Sequence, residues 1–399
     1  MTHGFSLGRR LEQREERGLR RHLNPAESVA GRTRLADDPG GDAADFGEPE
    51  LVFAANNYLG LADDGRVQRA AEAAARSIGT GAGASRLVTG DTTLHRALER
   101  DLADCKGTER ALAFSSGYAA NVGVIDALAP DVVFSDELNH ASIVDGCRIG
   151  AGETVVYDHC DPADLARRMD ARSGDADDES WLVLTDSVFS MDGDRAPLSD
   201  ICDVAERHGA WVMVDEAHAT GVVGTDGGGV VQAQGVSDRV DVQLGTLSKA
   251  LAAQGGYVAG AETLIEFLLN EARTFVFSTG LAPPAAGAAR EALRIAREGS
   301  RRERLWDNVE RLRDGLEAAR FEVLGDTHIL PVVVGDRDDA MALAAAVRER
   351  GIVAPAIRPP TVPAGRSRLR VAPMATHDEV AIERCLDALA RAGTECELL

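Results

Sequence analysis

The sequence predicts an α/β protein with a large domain on a mostly parallel sheet, followed by a smaller α+β domain at the C-terminus. Three observations carry that prediction. Short apolar runs recur at 111–114, 132–134, 154–157, 181–185, 211–214, 240–244 and 256–259, and helical stretches separate most of them. Continuous apolar runs joined by helical crossovers mark strands buried on both faces of a parallel sheet. From about residue 283 the texture changes. Pro283-Pro284 opens a long section rich in Ala, Arg, Glu and Leu that reads as helical to about 320. Finally, several of the apolar runs end in polar clusters: Ser115 to Tyr118, Ser135 to His140, Asp186 to Ser190, Asp215 to His218, and Thr246 to Lys249. In open α/β sheets ligands bind outside the carboxyl ends of the strands, and five such clusters are hard to explain by packing alone.

In chain order, residues 6–23 read as a helix, because Leu7, Leu11, Leu19 and Leu23 recur at multiples of four among arginines and glutamates. Asp37 to Glu50 is polar and Gly-rich, a loop or hairpin connection. Leu51-Val52-Phe53 is a short strand, ended by Asn56-Asn57-Tyr58-Leu59-Gly60. An Ala-rich helix over 66–77 runs into Gly79-Thr80-Gly81-Ala82-Gly83-Ala84-Ser85-Arg86. The glycines match a degenerate dinucleotide pattern by spacing, but that fingerprint must follow a strand and open a helix. Here it follows a helix, so the nucleotide reading is rejected. A helix over 92–105 comes next, and the strand–helix alternation after it. Beyond 320 the reading is a strand near 329–334, a helix near 338–350, the segment Ile357-Arg358-Pro359-Pro360-Thr361-Val362-Pro363, a strand holding Leu369-Arg370-Val371, and a last helix over 377–392. The expected organisation is an N-terminal helix and connecting segment (1–50), a large domain (51–282) and a small one (283–399).

The bulk composition excludes several function classes. The chain has 399 residues, 44% of them hydrophobic, and no run of about eighteen apolar residues that would span a membrane. The Arg-rich N-terminus carries Glu12, Glu15 and Glu16 and no apolar segment, unlike a secretory signal or transit peptide. Cys105, Cys147, Cys160, Cys202, Cys385 and Cys396 form no C-x-x-C pair, so neither a zinc site nor a disulfide framework is expected, and a reducing cytoplasm fits. A net charge of −22 argues against a general nucleic-acid-binding face. The acid lies in pieces such as Asp175, Asp177, Asp178 and Glu179, or Asp336, Asp338 and Asp339. Such a surface suits a salt-loving source, where self-repulsion is screened.

Lysine occurs only at Lys106 and Lys249; arginine fills the other basic positions. A composition that avoids lysine yet places one after Gly245-Thr246-Leu247-Ser248 points to chemistry a guanidinium cannot do, such as Schiff-base formation. A solvated surface lysine is the plain alternative, and the flanking residues argue against it. A Schiff-base lysine suggests pyridoxal phosphate, which also needs a carboxylate for its ring nitrogen, donors for its phosphate and a group stacked on its ring. Asp215 closes the run Trp211-Val212-Met213-Val214 and is the carboxylate candidate, with a helix cap as its structural alternative. His218, three residues on, can bond the ring hydroxyl, and His140 is the stacking candidate. Gly117-Tyr118 would open a helix whose amides favour a phosphate. Thr246, Ser278 and Thr279 supply hydroxyls, individually weak signals because Ser and Thr cap helices widely.

Together these residues resemble the α-oxoamine synthase family of fold-type I pyridoxal-phosphate enzymes, from about residue 19 to the end. The resemblance rests on Asn56-Asn57-Tyr58-Leu59-Gly60-Leu61, Ser116-Gly117-Tyr118-Ala119-Ala120-Asn121, Asn139-His140-Ala141-Ser142, Phe189-Ser190-Met191-Asp192-Gly193-Asp194, Val214-Asp215-Glu216-Ala217-His218-Ala219-Thr220-Gly221 and Thr246-Leu247-Ser248-Lys249-Ala250. It implies a decarboxylative condensation of an amino acid with an acyl-CoA. Met191 to Leu198 and Ile357 to Gly365 are similar to the branch of the family that acts in biotin biosynthesis, which implies L-alanine and a pimeloyl thioester, on CoA or a carrier protein, as substrates. Carried over by residue, the resemblance makes Lys249 the Schiff-base lysine. It puts Asp215 on the ring nitrogen, His218 and Ser190 on the ring hydroxyl, and His140 on the ring face. Gly117, Tyr118 and Thr246 hold the cofactor. Ser278 and Thr279 reach the phosphate of a neighbouring subunit, in a homodimer with shared sites. Arg370 takes the amino-acid carboxylate, and Arg20, Asn56 and Thr361 touch substrate. The alternatives are a glycine-using or other acyltransferase of the family, a non-catalytic family subunit, against which Lys249 speaks, and a nicotinamide dehydrogenase, against which the misplaced glycine pattern speaks.

Overall fold

The computed structural model describes residues 4–36, 46–172 and 178–399. Most of the expected connection over 37–50 lies outside them, as do Asp175 and Asp177. Among the described residues the strands are β1 (Arg32–Thr33), β2 (Glu50–Val52), β3 (Arg110–Phe114), β4 (Val132–Asp136), β5 (Glu153–Tyr157), β6 (Trp181–Asp186), β7 (Trp211–Asp215), β8 (Val242–Thr246), β9 (Gly256–Gly260), β10 (Leu330–Gly335), β11 (Ile352–Val353), β12 (Ala356–Ile357) and β13 (Ser367–Val371).

β3 to β9 form a seven-stranded sheet in the order β3-β9-β8-β7-β6-β4-β5. Each matches one of the apolar runs to within two residues at either end. β8, β7, β6, β4 and β5 pair in parallel, while β9 is antiparallel to both β3 and β8. The reversal has a local cause: the 247–255 connection is too short for a crossover helix, so the chain must turn straight back. The runs are continuous because both faces of the sheet are covered. Val132, Phe134, Val183, Val212 and Val214 belong to the core on one face. Val133, Leu182, Leu184, Met213, Val242 and Leu244 belong to the core on the other. Alternate residues thus enter opposite cores, and β4, β6, β8 and β9 are buried at every position, while the edge strand β5 is mostly exposed.

Two expected helices differ in extent. The first covers Leu7–Glu16 rather than 6–23. Gly18, in the left-handed region at φ +60°, stops it, so Leu19 and Leu23 do not extend its face, and the helix buries no residue. The long section after Pro283 is two helices, Pro283–Arg297 and Ser300–Ala318, broken at Gly299 with φ +92°. The helices expected near 66–77, 92–105, 338–350 and 377–392 are found at Gly65–Ser77, Thr93–Lys106, Arg337–Glu349 and Glu379–Glu395.

In the C-terminal part, β10, β13 and β12 form an antiparallel sheet in that order, and β11 pairs in parallel with β2, which also pairs with β1. β13 is the strand that matters for the site. Arg368 Nη1 donates to Met191 O at 3.0 Å and to Asp192 Oδ1 at 2.6 Å, and Arg370 Nε donates to Ser190 O at 2.7 Å. Two buried arginines, two positions apart and so on one face of β13, therefore fasten the small sheet to the loop after β6.

Candidate active site

The carboxyl ends of β3, β4, β6, β7 and β8 surround a cavity of about 230 Å³. All five strands run in the same direction, so their terminal polar clusters meet on one edge of the sheet. β3 leads to Gly117, Tyr118 and Asn121; β4 to His140 and Ser142; β6 to Asp186 and Ser190; β7 to Asp215 and His218; β8 to Thr246 and Lys249. All of them line the cavity.

Lys249 Nζ lies 2.7 Å from His218 Nε2. Burial lowers the amine to a pKa of about 8, although Asp215 and Asp186 pull the other way. Burial also holds His218 well below the ordinary histidine value, helped by the charges of Lys249 and Arg370. The proton on this imidazole is assigned by its neighbours. Tyr58 OH donates to Asn56 Oδ1 at 2.9 Å and accepts from Arg370 Nη2 at 3.1 Å. It lies 2.7 Å from His218 Nδ1. With its own proton committed, the tyrosine accepts from Nδ1–H, which leaves Nε2 a lone pair for the lysine.

Asp215 ends β7 and is 4% exposed. Asn121 Nδ2 donates to its Oδ2 at 2.7 Å and Ala217 N to its Oδ1 at 2.8 Å, so the carboxylate has a set orientation. Asp186 lies alongside. Burial and the nearby Asp215 charge push its pKa well above the carboxylate range, and its Oδ2 accepts from the backbone N of His140 at 2.8 Å. The His140 ring is tied through Nδ1 to Ser142 Oγ at 2.7 Å, and Ser142 Oγ accepts in turn from Asn121 at 2.9 Å. One chain of hydrogen bonds thus joins His140 to Asp215.

At the third corner the helix Gly117–Leu128 begins, capped by Ser116, whose side chain accepts from Ala119 N at 3.0 Å. The first-turn amides of Gly117 and Tyr118 have no partner within the helix. This helix start packs directly on Gly256: a Cβ there would meet Gly117 N and Ser116 C and O at 2.5 Å. Thr246 Oγ1 lies beside it, 3.0 Å from Gly255 O and 2.8 Å from Ser248 Oγ. An amine, an oriented buried carboxylate and an anion-favouring helix start around one cavity fit the aldehyde, ring nitrogen and phosphate of pyridoxal phosphate.

Of the residues expected from sequence, Gly117, Tyr118, His140, Ser190, Asp215, His218, Thr246 and Lys249 line the cavity. Arg370 is buried beside it, and Asn56 shares the Tyr58 and Arg370 network. Four others are not brought to it. Arg20 is exposed and paired with Glu15 at 3.4 Å, and Thr361 is exposed. Ser278 donates to the adjacent Thr279 O at 3.1 Å, and neither residue lines the cavity; a neighbouring subunit's phosphate is a contact one chain does not contain. Sequence reasoning assigned no role to Tyr58, Asn121, Ser142 or Asp186. A signal existed for Asn121, which lies four residues after Gly117 and so on the same helical face.

The chain matches the family described as aminotransferase class I and II over residues 48–389. It is 50% identical over 392 residues to the 8-amino-7-oxononanoate synthase of Anaeromyxobacter dehalogenans (strain 2CP-1 / ATCC BAA-258), covering 96% of this chain and 94% of that protein. Among solved structures it is similar to SPT with a PLP internal aldimine (32% identity, TM-score 0.90, 98% of each chain). It is also similar to Sphingomonas wittichii serine palmitoyltransferase (31% identity, TM-score 0.90, 98% of each chain). With a match this extensive and a sheet edge built this way, the chain belongs to the aminotransferase class I and II family, within the α-oxoamine synthase group of fold-type I pyridoxal-phosphate enzymes.

Proposed function

We propose that this chain condenses L-alanine with a pimeloyl thioester, carried by CoA or a carrier protein, to give 8-amino-7-oxononanoate, carbon dioxide and the free thiol, a step of biotin synthesis. One observation carries the chemistry. Lys249 presents an amine with a pKa of about 8 at a cavity that the oriented Asp215 carboxylate also lines. The 50% identity to a named 8-amino-7-oxononanoate synthase, over 96% of this chain, supports the choice of substrates.

Bound pyridoxal phosphate supplies the electron sink for a carbanion at the amino acid's α-carbon. Lys249 would hold its aldehyde carbon, Asp215 its ring nitrogen, His218 and Ser190 its hydroxyl, and His140 its face. Gly117, Tyr118 and Thr246 would hold the rest, with Ser278 and Thr279 of a second copy at the phosphate. Released by substrate, Lys249 is the base that takes the α-proton, and burial keeps its amine neutral enough to do so. Arg370 receives the amino-acid carboxylate: its guanidinium is met by Ser190 O, Asn56 and Tyr58, and by no carboxylate among the described residues. His140 donates to the developing oxyanion. Arg20, Asn56 and Thr361 complete the substrate contacts in a homodimer of the expected domains. No helix of the described residues is long and apolar enough to cross a membrane, in keeping with a cytoplasmic enzyme.

The test is to assay L-alanine and glycine against pimeloyl-CoA and acetyl-CoA. Product from alanine and pimeloyl-CoA alone is expected. Preference for glycine with acetyl-CoA would replace this reading with the glycine C-acetyltransferase one.

A further inference from the structure

Building on the proposed function, we propose that Arg337 and Arg358 form an anion site that receives a negatively charged group of the acyl thioester. Arg358 follows β12, and Arg337 opens the helix Arg337–Glu349. Their guanidiniums meet at one backbone carbonyl. Gly18 O accepts from Arg358 Nη2 at 3.0 Å and from Arg337 Nη2 at 3.3 Å. Arg337 Nη1 also reaches Arg17 O at 3.3 Å, and Arg358 Nη1 lies 3.2 Å from Met341 Sδ. Nε of each arginine is buried without a partner. Among the described residues neither is paired with a carboxylate.

Several of the chain's other partly buried guanidiniums are instead neutralised by two carboxylates each. Arg86 pairs with Asp91 and Glu99, Arg172 with Glu153 and Glu179, and Arg239 with Asp203 and Glu206. With 65 acidic residues against 43 basic ones, carboxylates are in excess. Two like charges side by side, faced only by neutral acceptors, are unfavourable until an oxyanion joins them, and a guanidinium fork suits carboxylate or phosphate. Two other buried arginines are likewise met only by neutral acceptors: Arg302, held by Ala296 O and Thr225 O, and Arg370, which alone of the two lies beside the cavity.

The location fits the substrate. β12 pairs with β13, the strand of Arg370, and Pro355 O accepts from Arg370 N at 3.1 Å. Arg358 is three residues past Pro355, so its Cα lies at most about 11 Å from that of Pro355. In a pimeloyl thioester six carbon–carbon bonds, roughly 8 Å extended, separate the thioester carbon from the terminal carboxylate. Arg20 lies two residues beyond Gly18, at the same corner. The oxyanion has two possible sources: the acyl chain's own carboxylate or the phosphates of CoA.

The experiment compares wild type with Arg337→Gln, Arg358→Gln and the double variant on three thioesters: pimeloyl-CoA, heptanoyl-CoA and pimeloyl-N-acetylcysteamine. We expect KM for pimeloyl-CoA to rise on the order of tenfold or more in the double variant, with KM for L-alanine unchanged. A rise shared by pimeloyl-N-acetylcysteamine and absent with heptanoyl-CoA assigns the site to the acyl carboxylate. A rise shared by both CoA thioesters and absent with N-acetylcysteamine assigns it to phosphate. Unchanged KM for all three, or an equal loss that includes alanine, overturns the site. If the double variant does not fold, Arg358→Lys carries the same comparison, because it keeps the charge and loses the fork. Wild type inactive with pimeloyl-CoA refutes the functional reading beneath; active wild type with unaltered variants refutes the arginine site alone.

Discussion

The ε-amine of Lys249 and Nε2 of His218 are 2.7 Å apart inside the cavity; burial disfavours the charged form of both, and the lysine's charge adds to that effect on the imidazole. The result is a neutral imidazole held by Tyr58 and a lysine whose pKa falls from 10.5 to about 8. Burial thus turns a basic side chain into a nucleophile and base usable near neutral pH.

The first prediction concerns pH. The neutral amine attacks an aldehyde, and Lys249 is neutral above about pH 8. The rate of Schiff-base formation between cofactor-free protein and pyridoxal phosphate, followed by visible absorbance, should rise with pH and level off above about 8. A rate still climbing steeply toward the ordinary lysine value of 10.5 would show that burial does not act on this amine.

Lys249→Ala should abolish both turnover and the visible absorbance of bound cofactor. Borohydride reduction of wild type, followed by peptide mass spectrometry, should place the label on Lys249. The other lysine, Lys106, is fully buried in an ion pair, so label on Lys106 would contradict the site.

Asp215→Asn leaves a side chain of the same shape between Asn121 and Ala217. Cofactor should still bind, and turnover should fall by about 10²–10⁴-fold if the carboxylate's charge serves the ring nitrogen. Near-normal turnover would remove that role.

Lys106 supports the site from behind. Its Nζ donates to Glu216 Oε2 at 2.8 Å, both side chains are fully buried, and Glu216 Oε1 accepts from Val230 N and Val231 N at 3.0 and 3.2 Å. Lys106→Met strands a buried carboxylate next to Asp215 and should cost roughly 3–5 kcal/mol in urea unfolding. Adding Glu216→Gln should recover part of it. Additive losses in the double variant would mean the two residues do not act as a pair.

The net charge of −22 predicts a dependence on salt. Raising ionic strength from about 0.1 M to about 1 M shortens the screening length from about 10 Å to about 3 Å, which should raise the melting temperature. A melting temperature flat across that range would leave the acid excess without a stabilising role for salt.

The sheet was readable in advance because burial on both faces writes itself into the chain as unbroken apolar runs. The same pattern predicted which residues would sit at the strand ends. The N-terminal helix was read too long because leucine spacing is blind to a backbone turn: Gly18 ends the helix at φ +60° whatever the spacing of Leu19 and Leu23. The direction of β9 was hidden for a similar reason, since it depends on the length of the 247–255 connection and not on the strand's own composition.

For the site, the sequence by itself determined the chemically singular residues: a lysine in a chain that otherwise uses arginine, an aspartate closing an apolar strand, and a histidine three positions on. Only the tertiary structure decided their partners. Tyr58 comes from a loop 160 positions from His218, and Asn121 from a helix 94 positions from Asp215. Arg370 comes from a different sheet, and Arg337 and Arg358 meet at Gly18 from two separate elements. Sequence shows what a residue can do as an isolated group. Its protonation state and orientation come from burial and from neighbours brought close by folding, and these interactions leave no periodic trace in the chain.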